Sequence, residues 1–133
     1  MDLLREIMIK KVITITRDKN AQDAAKLMAE HGIGSLVVVD NDSIVGMVTE
    51  RDLARKVCIK DVPSSRIALN DVMSSPIISA EPDMQIETAV QRMFNNKIRR
   101  LPILENGKLV GIVTVSDLAK HLGTKSLIEK IFE

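Results

Sequence analysis

Two segments decide how this chain is read: Gly46-Met47-Val48-Thr49-Glu50-Arg51-Asp52 and Gly111-Ile112-Val113-Thr114-Val115-Ser116-Asp117. Both follow one pattern, Gly-apolar-Val-Thr-x-x-Asp, and they stand 65 positions apart. Carried outward, the same offset sets Met8 on Met73 and runs without insertion or deletion to Val57 and Leu122. Identical pairs along the way include Ile13/Ile78, Asp18/Asp83, Ala24/Ala89, Met28/Met93 and Ile33/Ile98. An ungapped repeat of this extent means that two copies of one supersecondary unit fill nearly the whole chain.

Each copy reads as β-α-β-β-α. A short β-rich segment opens it, Val12-Ile13-Thr14-Ile15 or Ile77-Ile78-Ser79-Ala80. An amphipathic helix follows, with Ile86, Ala89, Val90, Met93 and Phe94 at i, i+3, i+4, i+7 and i+8 in the second copy. Ala21, Ala24, Ala25 and Met28 repeat that stripe with smaller residues in the first, behind an Asn20/Asp23 cap pair. A hairpin comes next: Leu36–Val39 and Ile44–Val48 flank Asn41-Asp42, and Leu101–Leu104 and Leu109–Val113 flank Asn106-Gly107. Pro102 lacks a ladder donor and belongs at a strand start or a sheet edge. A second helix closes each copy, Asp52 to Val57 and Asp117 to Leu122.

The strands are nearly continuous in Val and Ile, which predicts burial on both faces. The fold class that follows is α/β of the α+β kind. Two tandem repeats pack sheet to sheet with pseudo-twofold symmetry. The expected organisation is residues 1–58 for the first repeat with its lead-in helix (Leu3 to Met8), 59–70 for a linker, 71–123 for the second repeat and 124–133 for a C-terminal helix. Leu69 to Met73 reads as the equivalent lead-in of the second repeat.

Composition narrows the function classes. At 133 residues and 14.7 kDa, with 45% hydrophobic and 28% charged content, the chain has room for one aliphatic core. Nineteen Lys+Arg against eighteen Asp+Glu leave a net charge of +1, which removes the electrostatic case for a dedicated nucleic-acid binder. With no Trp, no Tyr and only Phe94 and Phe132, stacking platforms for bases and aromatic cages are excluded. Cys58 stands alone and reads as a small buried or half-buried apolar residue of a protein in a reducing compartment. No run approaches the ~18 apolar residues of a spanning helix, and the N-terminus lacks a signal-peptide core. A cytoplasmic location without membrane contact is expected.

Core packing explains repeated valines, but not a repeated Thr and Asp at the hairpin's end. One reading makes Thr49 and Thr114 helix N-caps, with the carboxylates favouring the helix dipole. Together with Pro82-Asp83 and Arg100-Leu101-Pro102-Ile103, however, the two complete copies closely resemble a cystathionine-β-synthase (CBS) domain pair, the Bateman-type regulatory module. That resemblance covers almost the entire chain. It implies two clefts between the repeats that take adenosine derivatives, with AMP, ADP, ATP or S-adenosylmethionine as candidate ligands. Asp117 and Asp52 would accept from the ribose hydroxyls, one cleft each, as an acceptor-only carboxylate suits a diol. Thr114, Ser116 and Thr49 would lie near the ribose or α-phosphate. The backbone around Thr14-Ile15 and Ser79-Ala80 would read the adenine edge.

The copies differ. Lys97, Arg99 and Arg100 precede the second hairpin, where family members often carry phosphate-binding basic residues; the first copy has Gly32, Gly34 and Ser35 there, and Arg51 in place of Ser116. The cleft around Asp117 is therefore the expected nucleotide site and the Asp52 cleft the weaker one. His31 and His121 sit in last helical turns, where the dipole favours them, and neither has a partner at metal spacing. No nucleophile–base–orienter set can be assembled. The expectation is a stand-alone, non-catalytic ligand sensor that forms a homodimer and signals to a separate regulated protein. The first alternative is a ligand-free protein–protein interaction scaffold; a nucleic-acid binder using Lys97 to Arg100 is the second, disfavoured by the near-neutral charge, and an enzyme is the least expected class.

Overall fold

The computed structural model describes residues 2–75 and 77–122, and contains two compact units. One is formed by residues 13–77. The other combines the N-terminal lead-in, through Val12, with the chain from Ile78 onward. The expected C-terminal helix at 124–133 lies outside the described residues.

The first repeat runs β1 (Thr14–Thr16), α1 (Ala21–His31), β2 (Ser35–Asp40), β3 (Ser43–Thr49) and α2 (Glu50–Lys56). Its sheet has the order β1-β2-β3, with β1 parallel to β2 and β2 antiparallel to β3. The second repeat runs α3 (Ile86–Asn96), β4 (Arg100–Glu105), β5 (Lys108–Thr114) and α4 (Val115–Leu122), with β4 and β5 antiparallel. Each fold is thus a small sheet with two helices, in α+β arrangement.

Local chemistry sets the boundaries. A reciprocal capping box starts α1: Asp23 N–H donates to Asn20 Oδ1 at 2.9 Å, and Asn20 N–H to Asp23 Oδ2 at 3.1 Å. Gly32, at φ +62°, ends it. Asn41 and Asp42 in one hairpin, and Asn106 and Gly107 in the other, all take positive φ, as a two-residue turn between twisted strands requires. Both hairpins shift register at equivalent places, between Val38 and Val39 and between Ile103 and Leu104. The bulge is therefore a property of the repeat rather than of one copy.

The opening strand of the second repeat is where expectation and structure part. Ile77–Ala80 forms no strand, and keeps one parallel bridge, Ala80 to Ile103. Ala80 N–H donates to the Pro102 carbonyl at 3.0 Å and Leu104 N–H to the Ala80 carbonyl at 2.8 Å. In the first repeat the ladder gains a further rung when Arg17 N–H donates to Val39 O at 2.9 Å. The residue equivalent to Arg17 is Pro82, and that equivalent to Val37 is Pro102. Neither proline has an N–H, so the parallel ladder is cut on both sides. Pro102 itself lies in an edge strand, since among the described residues its sheet has two strands.

In chain order each lead-in precedes its repeat; in packing the lead-ins are exchanged. Leu4, fully buried in a 3-10 turn (Leu4–Glu6), shares a core with Ile86, Met93, Leu101 and Ile103 of the second repeat. Its N–H donates to Met84 O at 2.9 Å. Conversely Ile67, Leu69 and Val72, from the segment read as linker and second lead-in, complete the first repeat's core with Met28, Leu36 and Val48. Each lead-in then pairs with the last strand of the repeat it covers. Ile9 and Ile112 exchange backbone hydrogen bonds at 2.9 and 3.0 Å, and Ser74 and Met47 do so at 2.8 and 3.1 Å. Gly46 and Gly111 permit these crossings: a Cβ on Gly46 would fall 2.8 Å from Met73 Sδ and 2.9 Å from Ser74 O, and one on Gly111 2.7 Å from Met8 Sδ. Here the repeated glycine answers to close approach, not to an unusual φ.

Cys58 is exposed, not buried. Helix α2 ends at Lys56, and Cys58 follows in a turn whose N–H still reaches back to Leu53 O at 3.3 Å, beyond the core-facing stripe.

Candidate functional site

Both Thr-x-x-Asp junctions form the same structure, each within its own unit. Thr49 and Thr114 are the last residues of β3 and β5, so α2 and α4 begin one residue later, earlier than the Asp52 and Asp117 starts read from sequence. In the first repeat, Asp52 N–H donates to Thr49 Oγ1 at 3.1 Å, while Asp52 Oδ2 accepts from Thr49 N–H at 2.9 Å and from Thr49 Oγ1 at 3.1 Å. In the second, Asp117 N–H donates to Thr114 Oγ1 at 3.2 Å, and Asp117 Oδ2 accepts from Thr114 N–H and Oγ1 at 3.0 and 2.9 Å. The capping reading of these residues therefore holds. Capping also leaves a carboxylate held by one oxygen, with its other oxygen available for further chemistry.

That other oxygen distinguishes the repeats. Asp52 Oδ1 lies 3.3 Å from Lys56 Nζ, one helical turn on, and Lys56 Nζ also donates to Val72 O at 2.9 Å. Among the described residues nothing pairs with Asp117 Oδ1. The residue equivalent to Lys56 is His121, whose Nε2 instead pairs with Asp2 Oδ2 at 2.7 Å. Sequence reading saw His121 only as a helix-terminal histidine, and it missed Lys56 altogether. An i, i+4 acid–base spacing was there to be seen in Asp52 and Lys56; the Asp2 partner is a consequence of the exchanged lead-in and has no local signal.

The remaining candidates fall into place by element. Arg100 opens β4 and is registered opposite Thr114, and the Arg99 carbonyl accepts from Val115 N–H at 3.0 Å. The structure thus gathers Arg99, Arg100, Thr114 and Asp117 at one end of the β4–β5 pair. Ser116 is exposed on the first turn of α4. At the matching end of the first repeat, Ser35 is opposite Thr49 and Gly34 O accepts from Glu50 N–H at 3.0 Å, with no cation in those positions. Thr14 is exposed on β1 and Ile15 is buried, paired with Val37 and Val38.

Ser79 and Ala80 lie on the other side of β4. Here a second residue was missed: Arg92 of α3, whose Nη1 donates to Ser79 O at 2.7 Å. One backbone carbonyl expected at an adenine edge already carries a charged donor. Its first-repeat equivalent is Leu27, so this contact is particular to the second copy. Among the described residues no cluster of His, Cys, Asp and Glu could hold a metal ion, and no helix is long and apolar enough to cross a membrane.

Comparison with known proteins gives these features a setting. A family model described as the CBS domain matches residues 4–58 and 69–124. An uncharacterized protein of Methanopyrus kandleri is 44% identical over 115 residues, 85% of this chain and 59% of the relative, so the chain spans about three fifths of that protein's length. Among solved structures, a protein with CBS domains from Burkholderia ambifaria superposes with a TM-score of 0.86 at 35% identity, covering 91% of this chain and 93% of that one. The CBS domain pair of protein MJ0100, solved in complex with 5-methylthioadenosine and S-adenosyl-L-methionine, superposes with a TM-score of 0.84 at 26% identity, over 94% of this chain and 98% of that one.

Proposed function

The chain belongs to the CBS-domain family, with two copies in tandem, and from that premise we propose that it is a regulatory module that binds an adenosyl ligand and catalyses no reaction itself. The ligand's ribose is held by Asp117, with Thr114, Ser116, Arg99 and Arg100 on the ribose and phosphate side. The observation that carries this reading is the Asp117 carboxylate: one oxygen is fixed by the Thr114 cap, and the other has no partner among the described residues. A preorganised acceptor of that kind accepts from a diol without first giving up an internal bond. A related domain pair bound to adenosyl compounds supports the ligand class. Asp52, Thr49, Thr14 and Ile15 form the weaker counterpart in the first repeat, and Ser79 and Ala80 the adenine-reading backbone of the second. Self-association and a separate regulated protein, both cytoplasmic, complete the proposal.

The capping hydrogen bonds favour a second reading, because they would hold equally well in a scaffold with no ligand. Calorimetric titration with AMP, ADP, ATP and S-adenosylmethionine separates the two. Saturable binding that falls at least about tenfold in Asp117→Ala, and much less in Asp52→Ala, is expected. No heat from any of the four compounds would leave the scaffold.

A further inference from the structure

We infer that Lys56 is a built-in occupant of the first repeat's carboxylate, which keeps that site closed and couples any ligand entering it to loss of the Lys56 hydrogen bond to the exchanged lead-in. This rests on the reading of the Thr-x-x-Asp junctions as adenosyl sites and specifies which of them is open.

The two junctions are built alike up to the second carboxylate oxygen. At Asp117 that oxygen has no partner among the described residues; at Asp52 the Lys56 ammonium stands 3.3 Å away. A ribose hydroxyl approaching Asp52 Oδ1 competes with this ammonium for the oxygen. The Asp52 side chain is only 14% exposed, so solvent screens the contact less than it would a surface pair. The same Nζ donates to the carbonyl of Val72, a fully buried residue, at 2.9 Å. Displacing Lys56 therefore strips a buried carbonyl of its charged donor as well as freeing Asp52. Val72 belongs to the lead-in that completes the first repeat's core and pairs through Ser74 with Met47 on β3. Lys56 thus joins the ligand-facing carboxylate to the crossing segment. In the second repeat, His121 holds the exchanged first lead-in through Asp2 and does not engage Asp117, so there tether and carboxylate are separate.

The test is calorimetry with AMP and with S-adenosylmethionine on wild type, Lys56→Met, Lys56→Arg and the combinations of Lys56→Met with Asp117→Asn and Asp52→Asn. The Lys56 side chain is 40% exposed, thermal melting checks that Lys56→Met folds, and Lys56→Gln is a second variant if it does not. One equivalent per chain is expected in wild type and in Lys56→Arg, which keeps the cation. In Lys56→Met a second equivalent appears, the first-repeat site tightening by about tenfold or more. Lys56→Met with Asp117→Asn keeps one equivalent, and adding Asp52→Asn abolishes it.

One equivalent in both wild type and Lys56→Met would overturn the gate while leaving the sensor reading intact. So would two equal equivalents in wild type. Absence of binding in every variant would overturn both.

Discussion

Replacing Leu4 by alanine tests the exchange of lead-ins, because the repeat that follows Leu4 in the chain and the repeat it packs into are different. Leu4 is fully buried, and so are Met93, Leu101 and Ile103 around it. Truncating a buried leucine costs the transfer of the lost carbons plus the cavity left behind, about 2–5 kcal/mol. The walls of this cavity are strand residues and a helix held by backbone hydrogen bonds, which limits collapse and favours the upper half of that range. For a chain of this size about 4 kcal/mol corresponds to a fall in melting temperature of roughly 12–16 °C. Hydrogen exchange then localises the loss. Increased exchange is expected in α3, β4 and α4, with little change in α1, β2 and α2. Leu69→Ala, also fully buried, should give the mirror-image result, loosening the first repeat. A Leu4→Ala protein that exchanges faster only within residues 13–77, or melts within about 2 °C of wild type, would refute the exchanged packing.

Two further predictions concern the repeated motif. Gly46→Ala should destabilise by about 1–3 kcal/mol and cost more than Gly111→Ala, measured by urea denaturation, since the new Cβ meets the Ser74 carbonyl at 2.9 Å in one and the Ile9 carbonyl at 3.1 Å in the other; equal losses would show that the methionine thioethers, not the backbone, set the cost. Thr114→Ala removes a helix cap and should lower stability by about 0.5–2 kcal/mol, whereas Thr114→Ser, which keeps the Oγ, should lose only a few tenths; thermal melts in which the serine variant matches the alanine one would contradict the capping role.

Much of this protein is legible in its sequence because the determinants are local. The Gly-x-Val-Thr-x-x-Asp pattern places a strand end, an N-cap and a helix start within seven residues, and each depends on bonds between residues three apart. Asn41-Asp42 and Asn106-Gly107 specify their turns by the φ they tolerate. The duplication follows from comparing the chain with itself, and it supplies the family resemblance and the candidates Asp52 and Asp117.

Tertiary structure decided what depends on distant partners. No local pattern tells Leu4 to bury itself beside Leu101 rather than Leu36, since any aliphatic core of suitable volume accepts a leucine. Lys56 and His121 occupy equivalent positions with ordinary helix-end chemistry. The Asp52–Lys56 pair is local, one helical turn apart, but only the path of the lead-ins gives Lys56 the Val72 carbonyl and His121 the Asp2 carboxylate. The shortened parallel ladder at Ala80 lies between these cases: Pro82 and Pro102 are visible in sequence, but their missing donors matter only once the fold sets the two segments side by side. Hydrogen bonds within a turn of chain are encoded where they form, whereas the pairing of distant segments depends on which buried surfaces meet.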